Sequence, residues 1–439
     1  MSASLAQKLR SIAGTPHVLT GIDCSPYVLE GRTPEAVVFP GSKEEVAAVL
    51  GVAAEVGIPV IPWGGGTRLA LGSPPLRLGL VIGLTRLNRV LEHVPGDLTA
   101  TVEAGITLGG LQAALGARGQ WLSLDPPHAE RATLGGILAS NASGPRRHLY
   151  GTCRDLLIGL TVVSADGSIV RGGGKVMKNV AGYDLPKLYI GSLGTLGILV
   201  EATLKLRPRP DEDRLVVARF ERLGDAAGAA RAVMASDLIP SALDVVDAAA
   251  AEALGLGTCG GALLIGFDGI REQVEWQCGE LRRLVAPPGA WAPEVRDGAE
   301  RDRLWRGLGE LGRAGIADVA AVMRWGVLPT RIGELMESAG ATARRNGLRA
   351  ALTAHAGVGI STAVLAGTDA DAVVRTLDAW RGLVDTAGGQ AVLEWAPLAV
   401  KERVAVWDEP GPAFRLMKAI KDQLDPSGIL NPGRFVGGI

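Results

Sequence analysis

Pro208 and Pro210, with one arginine between them, divide the chain into two stretches of different rhythm. Proline fixes φ and removes a backbone donor, so two of them this close break a strand pattern and mark a boundary. Upstream, from Glu35, the order is strand, helix, strand: "EAVVFP", then "SKEEVAAVLGVAAEVG", then "IPVIPWGGG". Ser42 and Glu45 form a capping box, and Gly57 stands where a helix stops in a left-handed residue. "GLVIGL" and "LTATVEAG" read as further strands and "GLQAALGARG" as a short helix, while "LLIGLTVVSADGSIV" reads as a hairpin turning at Asp166-Gly167. Downstream, "RLVVARF", "SALDVVD", "ALLIGF", "AAVMRWGVL", "RAALTAHAGVGISTAVL" and "QAVLEWAP" are strands separated by helical patterns such as "DAVVRTLDAWRGLVDTAG". The expected fold class is α+β. An α/β first domain covers residues 1–209 with its core from 30, a second domain with an antiparallel sheet covers 210–405, and a tail, 406–439, holds a helix stopped by a proline and glycine turn.

Length and charge exclude several functions. A chain of 439 residues, 47% hydrophobic, is too long for one ordinary core. Its 45 Lys plus Arg balance 46 Asp plus Glu, so no global field gathers nucleic acid or anionic lipid. Cys24, Cys153, Cys259 and Cys278 are far apart and form no C-x-x-C pair, which argues against a zinc knuckle, an iron–sulfur cluster or a disulfide framework. No apolar run approaches the ~20 residues of a membrane span, and the N-terminus has no apolar h-region. The expectation is a cytoplasmic protein that meets a membrane only through partners.

Two segments have the composition of a ligand site. In "PVIPWGGGTRLA", Gly64 to Gly66 follow a strand, and backbone N–H groups unshielded by Cβ atoms can converge on a phosphate, with the Thr67 hydroxyl as a further donor. Leu69 stands where a dinucleotide fingerprint needs glycine, and Thr67-Arg68-Leu69 where a P-loop needs Gly-Lys-Ser/Thr. "GGGKVMK" also fails the P-loop pattern, because Val176 replaces the metal-binding hydroxyl. By themselves these stretches are turns or phosphate loops in equal measure. The second segment, "DPPHAERATLGGILASNASGPRRHLYGTCRDLLIG", from Asp125 to Gly159, mixes backbone donors, hydroxyls and an amide in what reads as a long irregular loop.

Taken together, "PWGGGTR", "PPHAERATLGGILASNASGPRR", "GKVMKNVAGYDLPKLYIGSLGTLGIL" and "LDPSGILNPGRF" resemble the FAD-binding oxidases of the vanillyl-alcohol oxidase / p-cresol methylhydroxylase superfamily. Within it they most resemble the E-subunit branch of multi-subunit glycolate oxidases (glycolate dehydrogenases). The resemblance implies a two-part FAD-binding domain of the p-cresol methylhydroxylase type, an α+β cap domain, and noncovalent FAD. It places Trp63, Gly64, Gly65, Gly66, Thr67 and Arg68 around the pyrophosphate, with Pro126, Pro127, Thr133, Gly135, Gly136, Asn141, Ser143 and Gly144 on the other side. It also gives Asp155, Gly197 and Ile198 a part in holding the cofactor, and brings Asn431 back to the flavin on the tail. His128 is a loop residue in this reading rather than a covalent tether. Tyr183 and Asp184 either shape the flavin pocket or cap and pack the following helix, and Lys178 is solvated.

The chemistry implied is hydride transfer from a 2-hydroxy acid to flavin, which also needs a base and a group to hold the carboxylate. Catalytic relatives carry a pattern similar to His-x-Gly-Asp-Gly-Asn-x-His, followed later by Glu-His-Gly. Here the chain reads "HAGVGIST" and "LEWAPLAVKER". His355 and Glu394 match, whereas Val358, Thr362 and Trp395 replace an aspartate and two histidines. Two ligands are too few for a selective divalent site. The residues favour a hydrogen-bonded His355 inside a sheet facing the flavin and a Glu394 paired with an arginine, with His355 and Glu394 the residual catalytic candidates. The expected protein is an FAD-binding subunit that works with a catalytic flavin subunit of similar fold and an iron–sulfur subunit. Two alternatives stand beside it: a self-sufficient D-2-hydroxy-acid dehydrogenase using Arg324 for the carboxylate, and a noncatalytic assembly subunit.

Overall fold

The computed structural model describes residues 3–176, 182–285, 291–311 and 315–439. It divides into two compact units: residues 1–143, 152–209 and 409–439 in the first, and 144–151 with 210–408 in the second.

The first unit is built on two larger sheets and a two-stranded pair. One sheet has the order β1 (Val18–Thr20), β2 (Ala36–Val38), β4 (Leu80–Gly83), β3 (Val60–Trp63), with β2, β4 and β3 parallel. Parallel neighbours need a crossover, which the Lys43–Val56 helix supplies. Ser42 Oγ accepts from Glu45 N at 3.1 Å, and Glu45 Oε2 accepts from Gly41 N at 2.7 Å. Gly57 ends the helix at φ 66°, and Val46, Val49, Leu50 and Ala53 form its buried stripe. The other sheet is antiparallel, in the order β5 (Val90–Val94), β6 (Thr99–Glu103), β10 (Ile198–Lys205), β8 (Leu157–Val163), β9 (Ile169–Gly173). Strands β8 and β9 turn at Asp166-Gly167, where Gly167 has φ 84° and Asp166 Oδ1 accepts from Ser168 N at 2.9 Å. Short strands β7 (Gln120–Trp121) and β11 (Arg207–Pro208) pair just before the unit boundary.

The second unit holds one eight-stranded antiparallel sheet. Its strands are β12 (Glu212–Phe220), β13 (Ala242–Asp247), β14 (Gly261–Gly269), β15 (Glu294–Arg296), β16 (Val319–Gly326), β17 (Arg349–His355), β18 (Ile360–Ala366) and β19 (Gln390–Trp395), in the order β15-β12-β14-β13-β17-β18-β16-β19. One face packs under helices Leu223–Met234, Arg271–Leu284, Ile332–Arg345 and Ala370–Thr386, around Phe220, Phe267, Trp325 and Trp380. A smaller apolar cluster with helices Ala248–Ala253 and Gly298–Glu310 covers part of the other face. On that second face the strands also carry a polar row: Asp213, Asp268, Asp244, His355, Thr362, Arg324 and Glu394.

Two details depart from the sequence expectation. The stretch from Asp125 to Gly159 is not one irregular loop, because Leu134–Ser140 is a helix, capped by Thr133 and ended by Asn141 at φ 48°. Residues 144–151 group with the second unit, since Arg146 is buried and needs carboxylates. It pairs with Asp213 at 2.5 Å and Asp268 at 2.8 Å, and the Tyr150 hydroxyl donates to Asp268 at 2.5 Å.

All four cysteines are buried, and none is joined in a disulfide. No helix among the described residues is long and apolar enough to cross a membrane.

Candidate functional site

The first unit contains a cavity of about 100 Å3 where strand β3, the Leu134–Ser140 helix, the start of β10 and the C-terminal tail converge. Gly64, Gly65, Gly66, Thr67 and Arg68 form one wall; Thr133, Gly135, Gly136, Gly197, Ile198 and Asn431 contribute to the rest.

Close packing explains the glycines. A Cβ on Gly64 would stand 2.0 Å from Thr133 Oγ1, and one on Gly65 would stand 1.7 Å from the Arg131 carbonyl oxygen. The chain after β3 can therefore lie against the helix start only if both residues lack side chains. Thr133 Oγ1 accepts from Gly136 N at 3.4 Å, and Gly135 N donates to Ala104 O at 2.7 Å, which seats the helix on the second sheet.

The tail closes the cavity. Leu430 forms a parallel bridge with Val60, and Asn431 N donates to Val60 O at 2.8 Å. Asn431 Nδ2 donates to Leu193 O at 2.6 Å. Arg434, 3% exposed, donates to the carbonyls of Ser73, Leu69 and Leu71 just past the glycine loop. Burial lowers its guanidinium to a pKa of about 10, with Glu30 opposing. Lys421 anchors the tail from below, donating to Thr195 O at 2.8 Å, Asp425 Oδ2 at 2.5 Å and Leu430 O at 3.0 Å.

Other residues singled out from the sequence fall elsewhere. Trp63 ends β3, its indole packed against Gly66 and edge-on to Tyr27. Pro126, Pro127 and His128 line a small cleft that shares Thr67, Arg68 and Gly136 with the main cavity. Asn141, Ser143, Gly144 and Asp155 do not line the cavity. Asn141 is the helix stop, Gly144 belongs to the second unit, and the Asp155 carboxylate is taken by a capping box, accepting from Thr152 N at 2.7 Å. Tyr183 is 94% exposed, and Asp184 precedes the Leu185–Tyr189 helix without capping it, pairing instead with Lys187. Lys178 lies outside the described residues. Sequence reasoning missed Arg434, Leu193 and Gly194 in the lining, although each sits in a motif that carried the resemblance.

In the second unit, the two surviving residues of the hydroxy-acid pattern already have partners. His355 Nδ1 donates to Asp244, a fully buried carboxylate on the neighbouring strand, in register with it. Glu394 Oε1 accepts from Arg324 Nε at 2.7 Å. His148, carried by segment 144–151, packs on Gly357, whose missing Cβ would fall 2.2 Å from its ring. Burial disfavours the His148 imidazolium; Asp244 opposes this and His355 adds to it. Gly359 at φ 77° makes the turn from β17 to β18, where any Cβ would meet the Val327 carbonyl. Among the described residues no group of three His, Cys, Asp or Glu side chains is placed to hold a metal ion.

The backbone resembles solved structures of one architecture. It matches p-cresol methylhydroxylase with substrate bound at a TM-score of 0.78 and 19% identity, over 98% of this chain and 96% of that one. It matches an alkyldihydroxyacetonephosphate synthase at 0.79 and 19%, over 99% and 86%. The family model described as "FAD binding domain" matches residues 34–173, and that for "FAD linked oxidases, C-terminal domain" matches residues 209–435. The chain belongs to the FAD-linked oxidases, an FAD-binding oxidoreductase family. Similar proteins include glycolate oxidase subunit GlcD of Bacillus subtilis, 30% identical over 92% of this chain and 89% of its own length. A D-lactate dehydrogenase of Archaeoglobus fulgidus is 32% identical over 94% of both. The uncharacterized FAD-linked oxidoreductase Rv2280 of Mycobacterium tuberculosis is 30% identical over 99% of both.

The cavity fits FAD on its own chemistry. Among the described residues, the backbone N–H groups of Gly64, Gly65 and Gly66 donate to nothing, which leaves three adjacent donors for an anionic group. Asn431 Oδ1 is buried with no hydrogen-bond partner, an acceptor left for a ligand N–H or O–H.

Proposed function

We propose that this chain is the FAD-binding subunit of a multi-subunit glycolate or D-2-hydroxy-acid oxidase, and that its own metal-dependent substrate site is degenerate. Bound noncovalently, the flavin supplies the hydride acceptor and electron store. The Gly64–Arg68 loop holds the pyrophosphate, while Gly135, Gly136, Gly197, Ile198 and Asn431 line the remainder. A catalytic flavin subunit of similar fold completes substrate oxidation, and an iron–sulfur subunit takes the electrons onward.

The observation that carries this reading is the state of His355 and Glu394. Asp244 takes one imidazole nitrogen and Arg324 takes an oxygen of the carboxylate. Threonine, tryptophan and valine stand at Thr362, Trp395 and Val358, where the pattern has two histidines and an aspartate. The glycolate oxidase subunit among its relatives supports the assembly part.

The D-lactate dehydrogenase relatives favour a second reading, a self-sufficient dehydrogenase in which Arg324 holds the carboxylate. One experiment separates the two. Purified alone, loaded with FAD, supplied with a divalent metal and mixed anaerobically with glycolate or D-lactate, the chain is expected to keep its oxidised flavin absorbance. Bleaching within one turnover would establish the second reading. Copurification from its native cell, with iron counted in a separate polypeptide, tests the complex.

A further inference from the structure

A second cavity, of about 240 Å3, lies within the second unit. It is bounded by the Leu223–Met234 helix, the start of the Ile332–Arg345 helix, Val245 of β13 and Ala356 at the end of β17. It exists because the helix face that should fill it is made of alanines, Ala227 and Ala230. Gly333 lets the two helices approach so closely that a Cβ there would stand 2.8 Å from the Ala227 Cβ. Of the lining side chains only Arg231 and Thr330 carry hydrogen-bonding groups, and both can donate. No lining residue has a carboxylate or a carboxamide. Arg231 is exposed at the edge, and neither it nor Thr330 has a side-chain hydrogen bond or ion pair among the described residues. The one acid on the same helix, Asp225, is taken by Arg222 at 3.0 Å.

An apolar chamber whose polar edge offers a cation and a hydroxyl is complementary to a carboxylate with a hydrocarbon tail. Its volume exceeds the roughly 150 Å3 of a cavity that takes up benzene, so it has room for a somewhat longer chain, and it opens to solvent on the side where Arg231, Met234, Pro329 and Thr330 are exposed. We propose that it binds a saturated monocarboxylate of six to eight carbons, with the carboxylate on Arg231 and Thr330 and the tail against Ala227, Ala230 and Val245. The site is independent of the substrate reading above, because it uses none of the residues of the flavin cavity or of the His355 cluster.

The test is calorimetric titration of the FAD-loaded full chain with n-octanoate, alongside acetate and n-octylamine. Saturable one-to-one binding of octanoate is expected, at least tenfold tighter than either control, since each buried methylene adds about fourfold and the amine has the wrong charge. Arg231→Gln, an exposed change that leaves the core intact, should weaken it at least tenfold. Ala230→Leu, which fills the chamber, should abolish it. No octanoate binding, equal binding of octylamine, or unchanged affinity in Arg231→Gln would each overturn the proposal, whether or not Ala230→Leu folds.

Discussion

Replacing Lys421 by methionine should loosen the cofactor cavity from outside it. The lysine belongs to the Phe414–Leu424 helix, is 6% exposed and touches no lining group except through the chain it holds. Its ammonium satisfies the carbonyls of Thr195 and Leu430 and the carboxylate of Asp425, itself 2% exposed. Burial lowers the Lys421 pKa, and hydrogen bonding to Asp425 acts most strongly against that. Removing one member of a buried pair typically costs ~3–5 kcal/mol, because the other charge stays buried. At roughly 2–4 °C per kcal/mol for a unit of this size, the melting temperature should fall by about 6–20 °C. Leu430 directly precedes Asn431, so flavin should also be released at a lower temperature. Thermal unfolding followed in parallel by near-UV circular dichroism and flavin fluorescence reads both. Lys421→Met/Asp425→Leu should recover part of the loss, but not all, because Asp425 also accepts from Ile429 N and Leu430 N. A single variant that melts within about 2 °C of the parent, with flavin release unchanged, would refute the reasoning.

Gly64→Ala should lower FAD affinity by roughly tenfold or more, at the ~1–3 kcal/mol of an overpacked contact, and Thr133→Ala in the same chain should restore part of it by removing the oxygen met at 2.0 Å. Fluorescence titration of apoprotein with FAD measures both. Asp247, whose side chain caps the Ala248–Ala253 helix, is raised by burial to a pKa of about 6. Its protonated form is thus favoured on folding: that contribution is present below the unfolded pKa near 4 and lost as pH rises through about 6. Asp247→Asn should raise stability at pH 7 by about 1–3 kcal/mol and flatten denaturant midpoints between pH 4 and 6. Arg146→Met should destabilise the second unit by about 3–5 kcal/mol, since Asp268 loses its cation and Asp213 keeps only Arg301 at 3.3 Å, whereas Tyr150→Phe should cost about 1–3 kcal/mol. Urea unfolding with the two variants side by side checks the ranking.

The legible parts of the fold were those set by neighbours in sequence. Ser42, Glu45 and Gly57 bound their helix, and Asp166-Gly167 turns its hairpin, because each acts on backbone within a few residues. The glycine wall was visible as a run of residues without Cβ, but its reason, the Thr133 hydroxyl 69 residues after Gly64, was not. The resemblance gave Asp155 a part in holding the cofactor, whereas in the structure its carboxylate closes a capping box with Thr152, a contact within three residues. Arg434 and His148 were hidden for the opposite reason: their partners are remote. One straps the tail to residues 69–73, and the other rests on Gly357 beside His355 and Asp244. The pairing of Glu394 with an arginine was foreseeable in kind, while only strand register shows that the arginine is Arg324.

The order in which the cavity residues occur along the chain has a consequence for synthesis. Leu199 is the last of its lining before the tail, and Asn431 comes 232 positions later, after the whole stretch from Pro210 to Asp408. A ribosome therefore finishes one unit completely while the other still lacks the strand that bridges Val60 and the arginine that straps its glycine loop. The glycine wall and the Leu134–Ser140 helix are made early, but the cavity is closed only at the end of synthesis. Emerging chains should hold FAD only after the tail has cleared the exit tunnel, and free flavin in the cell would act on the finished protein as a late fastening step.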